Sequence, residues 1–149
     1  MTRRMAQNSK GQATVEFVLA FVLFLTFMVV LADMTRVCYN WVSLQYAVNE
    51  GARFGSLGLT SGGLDHQTSV QNKVISVARS LGVQGVGVSF SDAQGRNTTG
   101  APLTFFRLKA QKTVTLNPVS DLILKISGDY HGDYTVTAES ITRNEPFGS

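Results

Sequence analysis

A single cysteine, Cys38, means that no disulfide can close within this 149-residue chain, even in an oxidising compartment. Cys38 therefore reads as a small buried hydrophobe, with an interchain bridge as its alternative. Histidine is almost as scarce: His66 and His131 stand far apart, and neither lies in an HExxH pair. No GxxxxGK phosphate cradle occurs, and Gly87–Ser91 ends in serine where a GxSxG elbow needs its second glycine. These gaps give catalysis no support and imply no cofactor. No internal repeat or domain linker is evident either, so the chain holds one modest domain and whatever its apolar start provides.

Charge is sparse and unevenly placed. The net charge is +3, yet Arg3, Arg4 and Lys10 lie in the first eleven residues, where there is no acid. Of thirteen cations, the ten that remain beyond the leader face ten anions. The basicity belongs to the leader, and the body offers no electrostatic footprint for nucleic acid. A short basic stretch before an apolar segment has the form of an export signal or membrane anchor, with the basic end held in the cytoplasm and the rest outside.

Phe17 to Ala32 is a run of sixteen residues without a charge. As a helix it measures roughly 24 Å, short of the roughly 30 Å hydrocarbon core. Starting from Ala13 makes twenty residues and a full span, but takes Glu16 inside the first turns. A carboxylate near the membrane edge costs less than the roughly 2.5–3.5 kcal/mol at the centre, and a first-turn acid complements the helix dipole. An intramembrane acid is nevertheless a functional candidate once a partner can be named. Cleavage after Gly11 supplies one: Gln12 would carry a new α-amine one turn from Glu16, within reach of Glu16 on the same helix or on a neighbour. Such a pair would be satisfied only at the correct stacking offset, which makes Glu16 a registration device.

The basic leader ending in Gly11, followed by Gln12, Ala13, Thr14, Val15, Glu16 and Phe17, closely resembles the type IV prepilin processing motif. The longer pattern, "GQATVEF" and then "LADMTRVCYNWVSLQYAVNEGARFG", is similar to TadE-like minor pilins of tight-adherence (Flp-type) pilus systems. Asp33 to Arg36 matches that family's acid-x-x-Arg step, and Gly51 to Arg53 its "GAR" segment. The likeness covers about the first 58 residues. Beyond them it is one of element order and of the ending "ITRNEP". The proline that many relatives carry inside the apolar helix is absent here.

The resemblance implies a non-enzymatic pseudopilin cut between Gly11 and Gln12 by a membrane-embedded aspartic prepilin peptidase. It would be a single-pass protein of the bacterial inner membrane, with an extracytoplasmic domain and a place in an extracellular pilus after assembly. Its implied partners are other pilin subunits and an inner-membrane platform driven by a cytoplasmic ATPase, with adhesion or secretion downstream. Residues 1–11 are then the leader, 12–33 the transmembrane and assembly helix, and 34–149 an α+β body. Two other fates stay open: signal-peptidase cleavage after Val30–Leu31–Ala32, releasing a chain that begins at Asp33, or no cleavage at all. Either would make the protein a secreted or envelope-anchored binding module on a simple tether. An envelope hydrolase is the least favoured class.

Beyond the apolar run, Met34, Val37, Trp41, Leu44, Val48 and Ala52 recur three and four apart, predicting one helix from about Ala13 to Phe54 with a packed face, weakened by Gly51 and Gly55. Tyr39, Trp41 and Tyr46 are expected to pack on the domain rather than form a membrane belt, and Glu50 to pair with Arg53. Gly55 to Ser69 reads as a loop. A second helix follows, with Thr68 and Gln71 as its capping box and Val70, Val74, Val77 and Leu81 as its stripe, ending before Gly82. Val86–Asp92, Leu103–Leu116 and Tyr134–Arg143 read as strands, joined by the loop "AQGRNTTGAP", the helix-like or irregular link "VSDLILKI" after Pro118, and the turn "GDYHGD". The expected fold is α+β: a long N-terminal helix, a short helix and an antiparallel sheet of three or four strands.

Asp129, His131 and Asp133 alternate and carry oxygen and nitrogen ligands, but flanking Gly128 and Gly132 favour a polar turn over a metal site. Asn97–Thr98–Thr99 has the form of a glycosylation sequon in a loop.

Overall fold

A computed structural model describes residues 5–100, 103–126, 128 and 133–145. Helix α1 runs from Met5 to Ser56 and α2 from His66 to Ser80; strand β1 spans Gly87–Asp92 and β2 Phe105–Val114. Helix α3 is Pro118–Ile126 and strand β3 Tyr134–Arg143. The three strands form an antiparallel sheet in the order β1-β2-β3, with Phe90 opposite Leu108 and Ala110 opposite Ala138. The architecture is α+β: a long apolar helix, short helices and a three-stranded sheet.

The chain divides into two compact units: the described residues of Arg36–Thr115 with Asp133–Ser149, and those of Met1–Thr35 with Leu116–Gly132. In the first, the later part of α1 and helix α2 share one core with a face of the sheet. Leu44, Ala47, Val48 and Ala52 from α1, Val70, Val74 and Ala78 from α2, and Phe106, Leu108, Ala110, Val136 and Ala138 from the strands are all buried. Each of the larger side chains among them contributes about 1.5–3 kcal/mol by leaving water.

The packed stripe of α1 differs in detail from the expected one. Leu44, Val48 and Ala52 lie on it, but Met34 and Trp41 are exposed, and Ala47, Gly51 and Gly55 take their share. The two glycines are not weak points. A Cβ added at Gly51 would overlap Val74 and lie 3.3 Å from Leu108 Cδ2; one at Gly55 would lie 2.9 Å from Phe106 Cζ. They let α2 and β2 approach the α1 backbone, which offsets the roughly 1 kcal/mol that glycine costs a helix.

Cys38 is exposed, contrary to expectation, because it sits one residue past Val37 and so turns about 100° away from the packed face. Tyr39, Trp41 and Tyr46 each remain at least half exposed, so packing on the domain is only partial. Tyr39 still donates its hydroxyl to Leu81 O at 2.9 Å. The expected Glu50–Arg53 pair is present at 3.1 Å, and Lys73 adds a second cation at 3.7 Å.

Helix α2 begins two residues before the expected cap. Its N-cap is Asp65, whose carboxylate accepts from Thr68 N, so Thr68 is already helical and cannot cap. The helix closes on Gly82 at φ +75°, where Gly82 N donates to Arg79 O and Val83 N to Ala78 O, a Schellman pair that also buries Val83. At the C-terminal end, Glu145 N donates to Ser56 O at 2.8 Å and satisfies an end carbonyl of α1.

In the second unit, the link after Leu116 is a regular helix, α3. Asn117 Oδ1 accepts from Val119 N and Pro118 fills the first helical position.

Candidate functional site

Gly11, Gln12, Glu16 and Phe17 lie together on an exposed stretch of α1, with no break in the helix between Met5 and the apolar run. Gln12 and Glu16 are one turn apart, and Gln12 Nε2 donates to Glu16 Oε1 at 3.0 Å. The carboxylate therefore has a local partner within the intact helix. Cleavage before Gln12 would add an α-amine to the residue that already holds it. The ring of Phe17 stacks on Phe21 with centroids 6.0 Å apart.

Glycine at position 11 has no packing reason. Among the described residues nothing lies within 4 Å of a Cβ built there, and its φ is not positive. Gly51 and Gly55, on the same helix, are required by close neighbours. Gly11 lowers helix stability by about 1 kcal/mol relative to alanine with no return in this fold.

From Phe17 onward the apolar side chains point outward: Phe17 is 68% exposed and Leu23 67%. None of the most apolar stretch of α1, which is long enough to cross a membrane, is covered by other parts of the chain. A core helix of a soluble domain would be covered; this one needs lipid or other helices around it. Its hydroxyls suit that setting, since Thr26 Oγ1 donates to Val22 O and Thr35 Oγ1 to Leu31 O, both at 2.9 Å. Asp33, the first charge after the run, is 5% exposed and accepts from Asn117 N at 2.8 Å. That contact was not legible in sequence because its partner is a backbone N–H 84 residues away.

Residues 11–53 form a TadE-like family domain. The match begins at Gly11 and ends at Arg53, so it takes in the glycine, the acid, the apolar run and the Gly51–Arg53 segment. No curated protein matches the chain, and no solved structure does. The matched stretch thus lies within α1, and its exposed apolar half is consistent with a single membrane anchor. TadE-like proteins are generally non-enzymatic components of Tad pili.

The other singled-out residues separate from this site. Cys38 borders a shallow depression with Val37, Trp41 and Tyr134–Thr137. Asp129 and His131 lie outside the described residues, and Asp133 is exposed. His66 is held by Thr99 Oγ1 at 3.0 Å and Gly55 O at 3.1 Å; the carbonyl can only accept, so Nε2 carries a proton there. Asn97 is exposed in the β1–β2 loop.

Asp92 is a structural acid of that loop. Burial pushes its carboxyl up, but the backbone N–H groups of Arg96 and Gln94 and the Arg96 guanidinium at 2.7 Å outweigh burial and hold it below the usual carboxylate range. A depressed folded-state value means that Asp92 stabilises the fold above its unfolded pKa of about 3.9 and that this stabilisation is lost as pH falls through the lower folded value. Asp92→Asn should therefore be less stable than the parent chain at pH 7, with the gap narrowing toward pH 3. Urea unfolding at both pH values measures it, and a gap that does not change with pH would refute the assignment.

Proposed function

We propose that this protein is a minor pilin, a pseudopilin of a tight-adherence pilus or secretion filament. In this reading it inserts with its basic leader in the cytoplasm and is cut between Gly11 and Gln12 by a membrane-embedded aspartic prepilin peptidase. The observation that carries this reading is Gly11 itself, a glycine that weakens an exposed helix with no neighbour among the described residues to require it. A local rule broken without structural gain marks a demand made from outside the fold. A peptidase that must open the backbone at one bond makes such a demand, and glycine is the residue that opens most cheaply.

After the cut, Glu16 would face the amine of Gln12 on its own helix or on the next subunit. In lipid the apolar side chains of Phe17 to Leu31 contact acyl chains; in a filament they contact neighbouring helices. Lipid and helix surfaces are equally apolar, so the run does not select a register, whereas a charge pair does. Assembly would draw the helix out of the membrane through an inner-membrane platform and its ATPase. Adhesion or secretion would be the filament's downstream role.

The continuity of α1 through Val30–Ala32, with Asp33 buried at its Asn117 contact, supports this reading over release by signal peptidase, which needs an accessible backbone at that place. Gly11→Leu should abolish processing while membrane insertion persists. The test is the mass of the chain recovered from membranes: retention of all eleven leader residues is expected, and a variant still trimmed to Gln12 would refute the role given to Gly11.

A further inference from the structure

Helix α3 carries an apolar stripe that the described residues leave exposed in large part. Val119, Leu122, Ile123 and Ile126 follow the i, i+3, i+4, i+7 spacing of one helix face and are 40%, 59%, 41% and 80% exposed. The other side of the helix carries its polar residues: Lys125 Nζ pairs with the Asp121 carboxylate at 2.6 Å, and Ser120 is buried; Leu124 is the one apolar residue of 119–126 outside the stripe in sequence. A nine-residue helix with so much apolar surface has no reason to face water.

Its attachment point says what covers it. The residue before α3, Asn117, donates its backbone N–H to the buried carboxylate of Asp33, the first charged group after the uncharged run Phe17–Ala32. The start of α3 is thus fixed where the lipid-facing surface of α1 gives way to polar residues. At that level lies the boundary between acyl chains and headgroups, where short amphipathic helices lie in the plane of the interface.

We propose that α3 is an interfacial helix, its Val119, Leu122, Ile123 and Ile126 face bedded in the outer leaflet of the membrane that α1 crosses, with Asp33 as the pin that holds it there. The proposal rests on the membrane-spanning reading of α1. It adds a second membrane contact that must be released when the subunit leaves the bilayer. A change that frees α3 would then change how readily the subunit is extracted.

The test uses the full chain in a Cys38→Ser background, reconstituted in vesicles of phosphatidylethanolamine and phosphatidylglycerol. Leu122→Cys, Ile126→Cys, Lys125→Cys and Phe24→Cys are each labelled with an environment-sensitive fluorophore. Brominated lipid should quench the labels at 122, 126 and 24, and aqueous iodide the label at 125. Adding Asp33→Asn should weaken lipid quenching at 126 and leave it unchanged at 24. A label at 24 that escapes lipid quenching would overturn the membrane reading itself. Lipid contact at 24 with iodide access at 122 and 126 would overturn the interfacial helix alone. So would protection at 122 and 126 that disappears when protein is diluted in excess lipid, since a second copy would then be the cover.

Discussion

Glu16→Leu should leave the chain in the membrane and remove it from filaments. Insertion has nothing to lose, because leucine replaces a carboxylate whose presence within the span costs free energy. Assembly has a pair to lose. In the intact helix Glu16 already accepts from Gln12 Nε2 at 3.0 Å, and the proposed cut would place a charged amine on that same residue. Removing one partner of a buried pair costs about 3–5 kcal/mol, because the other charge is left without compensation. At 1.4 kcal/mol per tenfold, the filament-incorporated fraction should fall by more than about a hundredfold. Glu16→Gln keeps the size and a hydrogen-bonding oxygen, and should fall between the two. The comparison is made by quantifying the protein in sheared filament and membrane fractions of cells carrying each variant. Normal incorporation of the leucine variant would reject the registration role.

Gly51→Leu should cost the globular unit about 3 kcal/mol, the upper end of ordinary overpacking. Alanine or leucine at this position would normally stabilise a helix by removing the glycine penalty. Here the gain is outweighed, because the first added carbon overlaps Val74 and meets Leu108, both fully buried. Val74 is β-branched and held on α2, so it has little rotamer freedom with which to yield. The matched control is Gly11→Ala, where nothing lies within 4 Å and no such loss should appear. Urea unfolding in detergent, followed by circular dichroism, gives both values. Equal stability of the Gly51→Leu variant and the parent would show that α1 and α2 are not packed at this distance.

Much of the architecture was legible because it follows from local pattern. Alternation placed β3 at Tyr134–Arg143, and the apolar periodicity of 44, 48 and 52 identified the packed face of α1. What escaped depends on contacts between distant segments. Gly51 and Gly55 read only as weakening the helix because the side chains that demand them, Val74 and Phe106, come from other elements. Cys38 read as buried from its residue type, although its helical phase turns it outward. The capping box expected at Thr68 is displaced by Asp65, because the backbone already turns into the helix at His66. At the candidate site, Gly11, Gln12, Glu16 and Phe17 fall on one continuous helix, which converts their spacing directly into geometry. The hydrogen bond from the Gln12 side chain belongs to the same class and could have been named from the i, i+4 rule. The Asp33–Asn117 contact could not, since nothing local links a helix acid to a backbone N–H so far along the chain.

The account turns on a new amine at Gln12. Intact-mass and N-terminal analysis of the native protein, taken from membranes and from filaments, reads that terminus directly. A chain that begins at Gln12 is the expected result; one that retains Met1 through Gly11, or that begins at Asp33, would contradict it.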